Sequence, residues 1–255
     1  MSDHIQSRRE GHVLVIRIAR PDKKNALTVD MYAALADAIA GAEADRDVRA
    51  IVLLGSEGSF CAGNDIGDFL SRPPHDEDAP VVRYLRALAR STVPLVAGVD
   101  GDAVGIGTTT LLHCDLVFVT ARAKLRLPFV NLGLVPEAGS TLLLPRVLGH
   151  VRAAELIMLG DPFDGARAVE LGIANHVVAP EALEADVMDV AARIAAQPPS
   201  AMRESKRLLK GDVAALEARI LEEVRIFTAQ LSSPEAREAF TAFMEKRKPD
   251  FSKIA

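Results

Sequence analysis

Tryptophan is absent from this chain, and tyrosine and cysteine occur only twice each. With so few large aromatic faces, an aromatic-lined groove for carbohydrate or single-stranded nucleic acid is not expected. Cys61 and Cys114 each sit in an apolar setting with no partner at metal-ligand spacing. That argues against a disulfide framework or a metal site and points to a reducing, cytoplasmic setting. No apolar run approaches the roughly 18 residues of a membrane span. The polar start MSDHIQSRRE lacks the basic segment and apolar run of a secretory signal. The net charge of −5 gives no reason to expect nucleic acid as a partner. Dinucleotide, P-loop, serine-elbow and H-E-x-x-H signatures are also missing.

What is present reads as a soluble globular chain long enough for a sizeable core, in one large domain or one domain plus a helical appendage. HVLVIRIAR alternates and is β-branched, as a strand does; VRAIVLLGS is a continuous apolar run, as in a strand buried on both faces. Thr28 is placed to cap the helix VDMYAALADAIAGAEA. SRPPHDEDAP, with His75 inside it, is a polar, proline-rich loop, and the helix VVRYLRALARS and the strand PLVAGVDG follow. Further on, Asp164 caps GARAVEL, and helical patterns cover 180–197, 199–210, 212–231 and 233–247. The alternation of strand and helix predicts an α/β fold with parallel pairing and a separate helical layer at the end.

One local design occurs twice. In LLGSEGSFCAGNDIGDFL and LVAGVDGDAVGIGTTTLL a buried strand ends in a glycine-rich turn and a helix begins. Small residues allow close approach to the backbone, and a helix start offers unpaired N–H groups. Either turn alone would be accounted for as a tight βα connection. Two facing each other would aim two donors at one oxygen, as an oxyanion hole does.

Taken with RPDKKNALT, LPFVNLGLVPEAGSTLLLPRVLG, DPFDGARAVELGIANHVV and FMEKRKPDF, these segments lie in an order that resembles the crotonase, or enoyl-CoA hydratase/isomerase, family over nearly the whole chain. The resemblance implies an α/β spiral of ββα units over 1–195 and a C-terminal helical region, 196–255, used in trimer contacts. It further implies an acyl-CoA thioester substrate, a homotrimer or dimer of trimers, and no cofactor beyond the coenzyme A carried by the substrate. By the same resemblance the thioester oxygen is held by the backbone N–H groups of Asn64 and Ile106. Ala62, Gly63, Asp65 and Ile66 would line the CoA path, with Gly105 at the second turn and Lys24 nearby. Most relatives have glycine where this chain has Ile106; the donor survives, but the side chain reshapes the pocket.

Hydratase members of the family use two glutamates, at positions that here hold Thr109 and Phe129. A hydroxyl and a phenyl ring cannot serve as acid and base, so hydration by the two-glutamate route is not expected. An isomerase branch carries a single glutamate just after NLGL, and NLGLVPEAGS resembles it at Glu137. One carboxylate that reaches both carbons can take a proton from C2 of a 3-enoyl-CoA and return it at C4. Phe129, Leu134 and Val135 would make the surroundings apolar and raise its pKa. The alternatives are a hydratase or lyase in which Glu137 holds water, and a catalytically weak acyl-CoA-binding member.

Other candidates read as structural. Asp65 and Asp68 stand where helix caps stand, Asp115 satisfies buried backbone groups, and His113 packs in a helix. SKRLLK and EKRKPDF are basic runs in an acidic chain; such runs are usually solvated helix faces, and here Lys206 and Lys246 are also candidates for CoA phosphates. Phe227, Phe240 and Phe243 suit core or subunit packing, or the wall of an acyl or adenine pocket. The loop from Ser71 to Pro80 is expected to help shape that pocket.

Overall fold

The computed structural model describes residues 2–74 and 76–254, so His75 lies outside the described residues. The chain opens with β1 (Ile5–Glu10), β2 (Val13–Ile18) and α1 (Val29–Ala44). Three passes of similar build follow. The first is β3 (Ala50–Leu54), β4 (Ser59–Cys61), α2 (Ile66–Ser71) and α3 (Pro80–Arg90). The second is β5 (Leu95–Val99), β6 (Asp102–Val104) and α4 (Ile106–Thr109), which runs into a 3-10 turn at Thr110–His113. The third is β7 (Leu116–Thr120), β8 (Lys124–Arg126), α5 (Ser140–Leu148) and α6 (His150–Leu159). Then come β9 (Phe163–Asp164), α7 (Gly165–Glu170), β10 (His176–Val178), α8 (Leu183–Ala195), α9 (Pro199–Lys210), α10 (Val213–Gln230) and α11 (Pro234–Met244).

Each pass gives its first strand to a six-stranded sheet, β1-β2-β3-β5-β7-β10, and its second to a four-stranded sheet, β4-β6-β8-β9. The chain thereby winds as a spiral of ββα units. Pairing is parallel except at β1–β2 and β8–β9. The apolar runs explain the layering. In β3, Ile51 and Leu53 join the main core with Met31, Leu35, Leu85 and Leu88. Ala50, Val52 and Leu54 point the other way, against Leu183, Val187 and Ala191 of α8. Successive side chains of a strand alternate between faces, so a strand covered on both sides must be apolar throughout. The expected boundary at 195/196 falls at the end of α8, the helix that covers the large sheet.

Several elements were not expected from sequence. β1 is nearly all exposed and polar, and exists because it pairs with β2 as an edge strand. β4, β6 and β9 are only two or three residues long, too short to show an alternating pattern. The helix expected over AVGIGTTTLLHC is a single α turn followed by 3-10 geometry.

The expectation that Lys206 meets CoA phosphates is contradicted. α9 turns this side chain inward, where it is 3 % exposed. Its Nζ donates to Asp115 Oδ2 and to the Val93 carbonyl, each at 2.7 Å. Asp115 Oδ2 also accepts from the Leu95 N–H at 2.7 Å, so the pair pins α9 to the strand ends beneath it.

Candidate active site

The first glycine turn leaves β4 at Cys61. Gly63 has φ 99°, a conformation that side-chain-bearing residues rarely adopt, and a Cβ there would meet the Val104 carbonyl at 3.3 Å. The Leu27 N–H donates to the Gly63 carbonyl and the Asp65 N–H to the Leu27 carbonyl, both at 2.8 Å. The Asn64 N–H is left out of this ladder and has no protein acceptor among the described residues. The Asn64 side chain is fixed separately: its Oδ1 accepts from the Tyr32 hydroxyl.

The second turn leaves β6. Gly105 donates its N–H to the Arg126 carbonyl at 2.9 Å, and its own carbonyl accepts from the Thr108 and Thr109 N–H groups, starting α4. Ile106 is the first residue of that helix, and its N–H likewise has no protein acceptor among the described residues. Gly107 sits so close to the first turn that a Cβ would lie 2.5 Å from the Cys61 carbonyl. The two turns therefore meet without a side chain between them.

Asn64 and Ile106, the residues of both unclaimed donors, line a cavity of about 290 Å³. Its walls include Ala62, Gly63, Asn64 and Ile66 from the first turn, Gly105 and Ile106 from the second, and Phe129. Phe69, Phe227, Phe240 and Phe243 complete an apolar side, with Phe69 and Phe227 edge to face at 5.8 Å. No aspartate or glutamate lines it among the described residues. A larger hollow of about 520 Å³ lies between α1 and α3. Its arginines, Arg83 and Arg86 among them, are already paired with carboxylates, and none of the site residues reaches it.

Glu137 does not line the cavity wall itself. It is 6 % exposed and tied to α4, which gives Ile106 to that wall, through Thr109, whose hydroxyl donates to Glu137 Oε1 at 2.5 Å. Thr109 stands three residues after Ile106 on α4, so the hydroxyl that holds the carboxyl lies one helical turn from the second N–H donor. Burial pushes the Glu137 carboxyl up to about 8 against the opposing Thr109 hydrogen bond, and the nearby Glu223 adds to the rise. Tyr32, Tyr84 and Cys61 surround this carboxyl, and burial raises the pKa of each, so all three stay neutral.

The turn that carries Glu137 is held at many points. Its carbonyl accepts from the Ser140 N–H at 3.1 Å. His113 Nε2 donates to the Ala138 carbonyl at 2.8 Å, and burial pulls that imidazole down to about 4, leaving it neutral. Ala138 and Gly139 are both left-handed, with φ 63° and φ 69°. For an alanine this costs about 1 kcal/mol and persists only where the surroundings impose it. Ala138→Gly relieves this conformation but removes a fully buried methyl and frees the unfolded chain, so a urea titration is expected to show a stability change below about 1 kcal/mol, with acyl-CoA affinity unchanged.

The enoyl-CoA hydratase/isomerase family model matches residues 8–253. The chain is 32% identical to the 1,2-epoxyphenylacetyl-CoA isomerase of Escherichia coli over 99% of both chains. It is also 32% identical to a probable enoyl-CoA hydratase of Rhizobium meliloti over 95% of each. The solved structure of Pseudomonas aeruginosa OdaA superposes with a TM-score of 0.92 at 49% identity, covering 95% of this chain and 99% of that one. This chain belongs to the enoyl-CoA hydratase/isomerase family. Its fold is the crotonase fold, and it is an acyl-CoA enzyme of a family whose members' names include both hydratase and isomerase.

Of the residues singled out in the sequence, Asn64, Ile106, Ala62, Gly63, Ile66, Gly105 and Phe129 line one cavity. Thr109 lies behind that wall, fully buried. The other expected contacts lie apart from it. Asp65 caps α2 through the Asp68 N–H and pairs with Arg20 at 2.8 Å. Asp68 accepts from the Val29 N–H at 2.7 Å. Lys24 is largely exposed and pairs with Asp102 at 3.0 Å. Lys246 is exposed with φ 55°, between Phe243 and Arg247, which do line the cavity. Among the described residues of the 71–80 loop none lines the cavity, against expectation; Phe69 and Leu70 of α2 do so instead. Among the described residues no three His, Cys, Asp or Glu side chains cluster as a metal site, and no helix is long and apolar enough to cross a membrane.

Three features of the site were not found by sequence reasoning: the Tyr32–Asn64 contact, the Thr109–Glu137 hydrogen bond, and Glu223 behind the turn. The first two join residues far apart in sequence and leave no local pattern. Glu223 does leave one. It shares the buried stripe of α10 with Leu216, Ile220 and Phe227, where a carboxylate needs partners to be tolerated.

Proposed function

We propose that this enzyme isomerises a 3-enoyl-CoA to the 2-enoyl-CoA with Glu137 as the single acid–base group. The observation that carries the reading is a buried carboxyl held by the hydroxyl of Thr109, which itself stands one helical turn after Ile106, with threonine and phenylalanine at the two other carboxylate positions of the family. Substrate enters with its thioester oxygen between the Asn64 and Ile106 N–H groups. Glu137 removes a proton from C2; the C2–H electron pair becomes a C1–C2 double bond and the thioester π pair moves onto oxygen, giving a dienolate in which C3–C4 is still double. Its negative charge lies on the thioester oxygen, where two donors strengthen their hold as charge develops; a single such donor is worth roughly 3 kcal/mol. The protonated Glu137 then delivers its proton to C4, the double bond settles between C2 and C3, and the carboxylate is regenerated.

Burial suits this role, because a carboxyl with a pKa near 8 is a far stronger base than an exposed one. Phe129 and the phenylalanine wall disfavour water beside the dienolate, which supports isomerisation over hydration. Residues 1–195 act as the spiral core and 196–255 as a helical region that closes the cavity through Phe227, Phe240 and Phe243. The exposed apolar side chains Val151, Met158, Leu208 and Leu209 support assembly into a trimer.

The test is a pair of incubations with purified protein, one with a 3-enoyl-CoA and one with a 2-enoyl-CoA. The expected result is a 2-enoyl-CoA from the first and no hydroxyacyl-CoA from the second. Hydroxyacyl-CoA from the second would turn the assignment to a hydratase in which Glu137 holds water.

A further inference from the structure

Glu223 is buried on α10, 86 positions beyond Glu137 in sequence, yet both carboxyls address the same turn. Its Oε2 accepts from the Gly139 N–H at 2.6 Å. Its Oε1 accepts from the Thr141 N–H at 3.0 Å and the Thr141 hydroxyl at 2.5 Å. These are the opening donors of α5. Of the others, the Ser140 N–H goes to the Glu137 carbonyl and the Leu142 N–H to the Gly139 carbonyl. Among the described residues the Glu137 carboxyl therefore receives a hydrogen bond only from Thr109.

That distribution bears on basicity. An acid just before a helix is normally stabilised as its anion by the helix-start N–H groups, which lowers its pKa. Glu137 stands in that place and does not collect those donors, because Glu223 has them. We infer that Glu223 is a positioning residue for Glu137: by taking up the first-turn donors of α5 it fixes the turn from 137 to 141 and keeps the base free of the hydrogen bonds that would weaken it. The inference rests on the reading of Glu137 as the base.

The charged and titratable groups around the pair are few. Tyr32 faces Glu137 from α1, Cys61 from β4 and Tyr84 from α3, all neutral through burial. His113, which holds the Ala138 carbonyl, is neutral as well. Arg219 reaches the Thr141 hydroxyl at 3.0 Å and pairs with Glu222 at 3.1 Å. Glu223 is itself pushed up to about 7 by burial, against the pull of its three hydrogen bonds and Arg219. Once ionised it raises the Glu137 carboxyl further.

The test compares pH profiles of kcat/KM for a 3-enoyl-CoA in the unmodified enzyme and Glu223→Gln, with Kd for a saturated acyl-CoA measured alongside. A glutamine can accept one of the two N–H groups but not both as a carboxylate does. The other is released toward Glu137, and the like charge is gone. The expected outcome is an acid limb whose midpoint falls by about one pH unit, a plateau lowered about tenfold, and Kd within about twofold. Glu223→Asp, which keeps the charge, should bring the midpoint most of the way back. A midpoint that does not move in Glu223→Gln, whatever happens to stability, overturns the inference.

Should neither variant fold, carbon-13 carboxyl titration of the unmodified protein decides instead. The Glu137 resonance, assigned by its loss in Glu137→Gln, should move in two steps, one of them at the titration of Glu223. A single step contradicts coupling. Failure of the underlying reading looks different: Glu137→Gln would keep its turnover, whatever Glu223 does.

Discussion

Glu137→Gln is expected to lower 3-enoyl-CoA isomerisation about 10⁴-fold, the upper end of what one acid–base group supplies, while a saturated acyl-CoA still binds. Glutamine keeps the size of the side chain and can accept from Thr109, so the turn and the donor pair should survive. What it lacks is a basic oxygen. In the unmodified enzyme the base acts only when ionised. With the carboxyl raised to about 8, kcat/KM should climb with pH through that region and level off above it.

The same substitution should alter stability in the opposite sense. The folded carboxyl holds its proton up to about 8, against an ordinary value of 4.5. Between those values the folded state binds more protons than the unfolded chain, so stability falls as pH rises. The contribution is complete below 4.5 and is lost as pH passes through 8. Glu137→Gln has no such slope and should exceed the unmodified protein by a few kcal/mol at high pH. Urea titrations at two pH values, one acidic and one alkaline, would show it. An inactive variant that is also more stable is the signature of a group kept in an unfavourable place for its chemistry.

The second large effect lies away from the cavity. Lys206→Ala is expected to destabilise the fold by about 3–5 kcal/mol, because it leaves Asp115 without its buried cation and the Val93 carbonyl without a donor. Burial lowers the lysine pKa while Asp115 opposes that fall, so the pair exists only because each partner offsets the other's lost hydration. A urea titration measures the loss. Acyl-CoA affinity, taken at a denaturant-free temperature where the variant is folded, should not change. Weaker CoA binding with full stability would instead restore Lys206 to the phosphate site.

The sequence carried much of this molecule because its long strands are buried on both faces and its motifs are contiguous. The runs in β3 and β5, and the cap at Thr28, are local signals, and the structure shows them as strands and a capped helix. The two glycine turns were recognisable as a pair, and they do meet, because Gly107 leaves room for the Cys61 carbonyl. Thr109 was legible as a missing carboxylate but not as the hydroxyl that holds Glu137, since that bond spans 28 positions. Lys206 was misread because a basic run looks solvated until α9 is seen to turn one lysine into the core. Short strands such as β9 depend on their partners for existence, so nothing in two residues could announce them.

In the proposed mechanism one buried carboxyl carries a proton from C2 to C4. The most direct measurement supplies a 3-enoyl-CoA dideuterated at C2 and locates the label in the first-formed 2-enoyl-CoA by mass spectrometry and NMR. Burial shelters Glu137 from water, so deuterium is expected at C4 in part of the product, with no transfer in Glu137→Gln. Product that has lost one deuterium to solvent and carries only protium at C4 would mean that no sheltered group carries the proton from C2 to C4, which contradicts the proposed mechanism.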